Sequence, residues 1–280
     1  MAGAAIRVIP TPLGQGNAKV IPGSTTFDDA TSDLLSRTPG TAGNRKTFTR
    51  SYWVKLNQPD TDYDVCVFTA AGSDANNRYH SGIGADGKFY KYERIGGSDK
   101  LDFTSDWKFH DYSGWYHIVE VTNTTESSAS DRFKLYVNGS QVDLTFSVSY
   151  SQDQETLTNN TNVMTIGGRY DGSIDYTCAN MCEHIFIDGA VVAATEFGYT
   201  DPLTNTWRPK KYSGDYNIIA LSGSLYTQFS NTTLPVYSNE DGGSENSSTW
   251  ANFVNGDNTS YTNMTYLTDH WSKMTFQTAI

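Results

Sequence analysis

Trp107, Tyr112, Tyr170 and Tyr176 place flat rings on segments rich in turn-forming residues, and Asp171 and Asp175 place carboxylates beside two of them. Rings of this kind stack on sugars while carboxylates accept their hydroxyl protons, so these six positions are the candidate glycan contacts. The same rings would serve as packing lids or subunit contacts, which is the commoner use of a loop tyrosine. Asp153 and Glu155 in "SQDQE", with Asp171 and Asp175 in "RYDGSID", supply the oxygen donors that Ca2+ takes. Neither stretch has the spacing of a defined calcium loop, so Ca2+ is a conceivable ligand with no assigned site, and no cofactor is required.

A further group is "CANMCEH", which brings Cys178, Cys182 and His184 close together in sequence. A metal site or a strained disulfide is open there, but a tetrahedral metal needs a fourth ligand that the local sequence does not supply. With Cys66 the cysteines number three, an odd set that argues against a disulfide framework. The N-x-S/T sequences at Asn123, Asn138, Asn231 and Asn258 are read as turn chemistry, since a chain this rich in Asn, Ser and Thr produces such matches by chance.

The elements that must hold these residues are strands. In "DRFKLYVNGSQVDLTF", Phe133, Leu135 and Val137 alternate with Lys134 and Tyr136, and Asn138-Gly139 supplies the positive φ angles of a tight hairpin. Val142, Leu144, Phe146 and Val148 alternate again beyond the turn. "TFTRSYWVKLN" sets Tyr52, Val54 and Leu56 against Trp53 and Lys55, and "DVCVFTAAG" is a short buried run. Asp86-Gly87 marks a second hairpin, "SGWYHIVEVTN" and "NVMTIGGRY" are strands, and "EHIFIDGAVVA" reverses at Asp188-Gly189. Only "AATEFG" suggests a helical turn. Regular strands with almost no helix predict an all-β antiparallel sandwich.

Residues 1–25 carry Pro10, Pro12 and Pro22 among small residues, which favours an extended arm whose Ile6, Val8, Leu13 and Ile21 would fill shallow pockets on neighbouring subunits. Residues 26–222 form the sandwich. Residues 223–280 are a polar, irregular extension dotted with Trp250, Phe253, Tyr261, Tyr266 and Trp271. A formal charge of -11 and the lack of a basic stripe argue against nucleic acid as partner. No stretch is long and apolar enough for membrane insertion, and the N-terminus lacks the apolar core of a signal peptide, so synthesis in a cytoplasm is expected.

The succession "SYWVKL", "SGWYHIVEV", "RFKLYVNGSQV", "MTIGG", "IFIDG" resembles the laminin G-like, concanavalin A-like jelly roll. More narrowly, "LLSRTPGTAGNRKTFTRSYWVK", "ASDRFKLYVNG" and "TDPLTNTWRPKKYSGDY" are similar to tailed-bacteriophage proteins, common in marine phages, that carry this domain on the virion. The resemblance spans about residues 27–216. It implies a virion surface protein made in the host cytoplasm, either a capsid decoration or fibre component that adheres to glycans or a tail-associated receptor-binding protein that recognises host polysaccharide. It also implies other capsid or tail proteins as partners and a homo-oligomer, with a trimer as first expectation. Glucanases share the fold, and their chemistry resembles a paired-carboxylate mechanism with a Glu-x-Asp-x-x-Glu run on one strand. That run occurs nowhere in the sequence, and Glu183 and Asp188 have an odd spacing that directs them to opposite strand faces, so no enzymatic activity is expected.

Overall fold

The computed structural model describes residues 19–21, 23–28, 33–57, 65–74, 76–168 and 177–214. Among these residues fifteen strands follow one another: β1 (Thr25–Phe27), β2 (Leu35–Arg37), β3 (Thr47–Leu56), β4 (Val65–Asp74), β5 (Asn77–Ile83), β6 (Lys88–Ile95), β7 (Ser98–Lys108) and β8 (Tyr116–Asn123). They continue as β9 (Phe133–Val137), β10 (Ser140–Val142), β11 (Leu144–Val148), β12 (Val163–Ile166), β13 (Ala179–Asp188), β14 (Gly198–Thr200) and β15 (Trp207–Pro209). One antiparallel sheet runs β1-β13-β3-β8-β9-β10 and the other β11-β7-β6-β5-β4-β12-β2, with β14-β15 as a separate pair. The fold is an all-β jelly-roll sandwich. Helix among the described residues amounts to two short 3-10 turns, Ala129–Asp131 and Ala194–Glu196, the second within "AATEFG".

Period-2 alternation decides which side chains meet between the sheets. Phe133, Leu135 and Val137 of β9 face inward, as do Phe89 of β6 and Leu101 and Phe103 of β7, and the Phe103 and Phe133 rings meet at 4.8 Å across the gap. Asn138 (φ 48) and Gly139 (φ 81) make the expected hairpin turn, pairing Ser140 with Val137 and Val142 with Leu135. The alternation through Val148 does not continue one strand. The chain crosses at Asp143, and β11 pairs with β7 in the opposite sheet, Leu144 opposite Ser105.

β3 is buried on both faces, whereas β6 alternates buried and half-buried. The cause is a second layer. After Gly189 (φ 76) the chain folds back over the outer face of the six-stranded sheet, where Ala194 and Phe197 pack on Val119, Val121 and Ile187, with Tyr212 at their margin. Trp207 closes this layer: its indole N–H donates to His117 Nδ1 at 3.0 Å and its ring stacks on the imidazole at 5.9 Å. A Cβ at Gly139 or Gly198 would lie 2.3 or 2.4 Å from that indole, so both positions must stay bare. Burial pushes the His117 imidazole down to about 3, and Trp53 stacks on its ring at 4.9 Å. Because Nδ1 accepts from Trp207, Nε2 carries the proton and donates to Ser51 Oγ at 2.9 Å.

The centre of the core is charged. Arg50 and Glu120 are cross-strand neighbours on β3 and β8, ion-paired and fully buried, and Lys91 of β6 sits 3.5 Å from the other Glu120 oxygen. Arg50 donates to Ser81 Oγ at 2.7 Å and lies 3.8 Å over the Phe68 ring; Lys91 lies 3.9 Å over Phe133. Burial pushes Lys91 down to about 7 against the pull of Glu120, and burial raises Glu93, whose Oε1 accepts the Leu157 N–H at 2.6 Å. For Glu120 burial works the other way from its partners, and Arg50 and Lys91 prevail to hold its carboxyl below the usual range. The Arg50–Glu120 pair lies within the six-stranded sheet, and the Lys91–Glu120 contact joins the two sheets, each at a desolvation cost that pairing offsets in part.

Ile6, Val8 and Leu13 of the arm lie outside the described residues, as does everything past 214. Ile21 is half-buried. Beside it, the Lys19 backbone N–H donates to Pro209 O at 3.1 Å and its ammonium pairs with Glu183. Glu183 lies inside β13, at φ 52, where the register with β3 shifts between Cys182 and Ile185. The odd-spacing argument for Glu183 and Asp188 therefore does not hold, because a bulge intervenes between them.

Candidate functional site

The antiparallel register brings the C-terminal end of β7, the β7–β8 connection, the 84–87 turn and the Asn138-Gly139 turn to one end of the sandwich. The N-terminal end of β8 is anchored there by Tyr116, whose hydroxyl accepts the Asp111 N–H at 2.8 Å. Trp107 is 39 % exposed and lies in the last residues of β7, not on a loop as expected. Phe109 and Tyr116 support its ring edge-on at 4.7 and 5.6 Å, so one side of the indole is fixed while the other meets solvent. Tyr112, in the connection, is half-buried against the core. Trp115, 37 % exposed and one residue before β8, joins this end and was not singled out from sequence, where "SGWYHIVEV" reads as continuous strand. Asp111 accepts from Ser113 N and Oγ at 2.8 and 2.6 Å, and these bonds hold its carboxyl below the usual range.

Tyr170, Asp171, Asp175 and Tyr176 lie outside the described residues. The Thr177 N–H donates to Gly167 O at 2.9 Å and the Asn57 N–H to Cys178 O at 3.2 Å, which places Thr177 and Cys178 beside the end of β3 that faces the Trp107 rim. Asp153 and Glu155 are at the opposite end. Lys46 pairs with Asp153 at 3.2 Å and Arg45 with Glu155 at 2.7 Å, so each carboxylate already faces a cation. No group of three or more His, Cys, Asp or Glu able to hold a metal exists among the described residues. Cys178 and Cys182 form no disulfide with each other, burial pushes Cys182 up to about 12, and the Cys66 side chain lies outside the described set. His184 stacks on Tyr52 at 5.4 Å inside the sandwich, and burial, with Arg50 nearby, pushes its imidazole down to about 3. "CANMCEH" thus supplies packing.

A second surface escaped the sequence reading. Lys88, Tyr90, Tyr92 and Arg94 of β6 point away from the core, and their cross-strand neighbours are Lys108, Gly82, His80 and Arg78. The Arg78 and Arg94 guanidinium carbons lie 5.3 and 5.8 Å from the Tyr92 ring centre. A Cβ at Gly82 would sit 2.2 Å from Val65 O and 3.1 Å from the Tyr90 hydroxyl. Alternation alone identified β6 as a strand, but only the pairing of β5 and β7 to it collects these residues on one face.

A family model described as the concanavalin A-like lectin/glucanases superfamily matches residues 29–195, more than half of the 280-residue chain. The chain belongs to this superfamily. The match takes in β2 to β13 and ends before Phe197, Trp207 and Tyr212 of the covering layer. No curated protein compared with it matches in sequence. Among solved structures it is similar to the native heptameric SAP-like pentraxin from Limulus polyphemus, with 16% identity over 62% of this chain and 80% of that one at a TM-score of 0.43. It is also similar to domains LG4-5 of the mouse laminin alpha1 chain, with 11% identity over 75% and 48% at 0.42. The Ruminococcus gnavus IT-sialidase CBM40 bound to alpha2,3 sialyllactose gives 16% identity over 64% and 94% at 0.39.

Proposed function

We propose that this lectin-like sandwich is a non-enzymatic adhesion module that binds glycans and is displayed on a bacteriophage virion as a capsid decoration or fibre component. The observation that carries the glycan reading is the rim formed by Trp107 and Trp115, two indoles more than a third exposed at one end of the sandwich, with Trp107 held edge-on by Phe109 and Tyr116. A large apolar ring costs free energy in water, and a rigid ring with one free face is the standard platform for a sugar. The non-enzymatic reading is supported by the carboxylates: Glu93 and Glu120 are sealed between the sheets, out of reach of a polysaccharide. The virion setting and a homo-oligomeric assembly rest on the resemblance of "TDPLTNTWRPKKYSGDY" and its companions to phage proteins.

The test is a glycan array probed with the full chain, in calcium and in chelator, beside Trp107→Ala and Trp115→Ala. Binding by the parent and its loss in the tryptophan variants is the expected result, and a blank array in both conditions removes the adhesion role. Incubation with laminarin-type and mixed-linkage glucans should release no reducing ends; reproducible release would make the protein a hydrolase. Antibody labelling of intact particles, followed by imaging, tests the virion setting.

A further inference from the structure

Two pairs of like charge stand directly opposite each other on the outer face of the seven-stranded sheet: Arg78 with Arg94 across β5 and β6, and Lys88 with Lys108 across β6 and β7. Like charges directly opposite destabilise a sheet. In a chain of net charge -11 there is no shortage of carboxylates to separate them, yet among the described residues only Arg94 forms an ion pair, with Asp99 at 2.7 Å. Asp102 is on the same face opposite Tyr92 and forms no ion pair among the described residues. Asp106 is engaged by the Thr145 hydroxyl at 2.8 Å toward the β11 edge. Arg78 Nε is buried without a hydrogen-bond partner.

The spacing adds a second constraint. Lys88 and Arg94 are six residues apart on one strand, so the two cationic pairs are about 20 Å from each other at the usual strand rise. Tyr90 and Tyr92 fill the interval, and Tyr92 keeps the Arg78 and Arg94 guanidiniums side by side against its ring. At the lysine end a Cβ on Gly87 would lie 3.8 Å from both His110 and Lys108, and this end of β7 is the one that carries Trp107. A small anion would occupy one pair only. A chain with carboxylates or sulfates recurring along it would neutralise both, with guanidiniums suited to bidentate contacts and tyrosines to the sugar rings between.

We propose that this face, whose lysine end lies at the same end of the sandwich as the Trp107 rim, binds an acidic polysaccharide along β6, with the lysine pair and the arginine pair as its two charge contacts. The inference rests on the glycan-adhesion reading and specifies its ligand class. The experiment is calorimetric titration of the full chain with alginate oligosaccharides, with neutral dextran and with polyglutamate, at low and high salt. The parent should bind alginate in preference to the other two, and more weakly at high salt. Lys88→Gln/Lys108→Gln should weaken alginate about tenfold, the worth of one charge-assisted contact, and Arg94→Gln similarly. Equal affinity for dextran, unchanged in the charge variants, overturns the ligand class while adhesion stands. Binding of neither polysaccharide by a chain that also gives a blank array removes both. Equal binding of polyglutamate shows a general anion surface and overturns the glycan assignment. A concentration-dependent dimer that the lysine variant abolishes identifies a second copy of this chain as the occupant.

Discussion

The two outer faces of the sandwich are treated in opposite ways. Over the six-stranded sheet, Trp53, Val119 and Val121 would present apolar surface, and residues 190–212 cover it with Ala194, Phe197, Trp207 and Tyr212. Over the seven-stranded sheet the outward positions of its strand β6 are Lys88, Tyr90, Tyr92 and Arg94, and no other strand of the described residues crosses them. An apolar face must be buried to be tolerated, while a polar face can remain at the surface and be used. Charge has been moved in the reverse sense in the interior, where Arg50, Lys91, Glu93 and Glu120 occupy the space between the sheets. Stability is therefore concentrated in the covering layer and the core, and the proposed recognition falls on the face and rim that no described residue covers.

That contrast breaks most visibly at Trp207. Trp207→Ala removes the ring that fills the hollows above Gly139 and Gly198 and leaves His117 Nδ1 without its donor, and the cost should be about 3 kcal/mol. Chemical denaturation with a fluorescence readout measures it. Leu203→Ala, in the same segment but 77 % exposed, should be neutral, and equal effects would mean that the layer does not seal the face. In the core, Leu135→Ala should cost about 2 to 5 kcal/mol, whereas Lys134→Ala, whose pair with Asp131 is at the surface, should change the melting temperature little.

Acid should loosen the covered face and the core together. His117 and His184 have folded values near 3, against 6.5 unfolded. Below pH 6.5 the unfolded chain takes up protons that the folded chain refuses until about pH 3, so stability falls through that window as pH drops. Each imidazole contributes about 1.4 kcal/mol per pH unit within that window. Melting temperature against pH should slope accordingly, and His117→Gln should flatten the slope. An unchanged slope in that variant would place the acid sensitivity elsewhere.

How much of this was legible in advance depended on how local the signal was. The Asn138-Gly139 hairpin, the inward set Tyr52, Val54 and Leu56, and the turn at Asp188-Gly189 follow from alternation and turn chemistry within a few residues. The switch of sheet at Asp143 does not, because Val142 and Leu144 keep period 2 while pairing with different partners. The charged core was invisible for the same reason: Arg50, Lys91 and Glu120 are brought together only by the closing of two sheets. At the site, Trp107 and Tyr112 were found as isolated aromatics, Trp115 was hidden at the start of a strand pattern, and the β6 face required the register of β5 and β7. "TDPLTNTWRPKKYSGDY" contains the covering Trp207, whose indole packs on His117, so this aromatic serves the architecture of the sandwich before any ligand.

The smallest expected effect sharpens the comparison most, because it has the opposite sign. On the covered face every truncation of a buried side chain should destabilise. On the open face, Lys108→Gln removes one of two ammonium groups held directly opposite each other, with no ion pair lost among the described residues. Relief of that repulsion should raise stability by about 0.2 to 0.5 kcal/mol, with the gain shrinking as salt screens the pair. Lys134→Gln, which loses its contact with Asp131 at 3.0 Å, serves as the control and should show no gain. The measurement is paired thermal melts of both variants at low and high ionic strength. A gain confined to Lys108→Gln and confined to low salt means that the sheet carries an unfavourable pair that folding does not need, as expected where charge is kept for a ligand. A loss of stability in Lys108→Gln would mean that the lysine supports the sheet, and the two faces would then differ in composition but not in purpose.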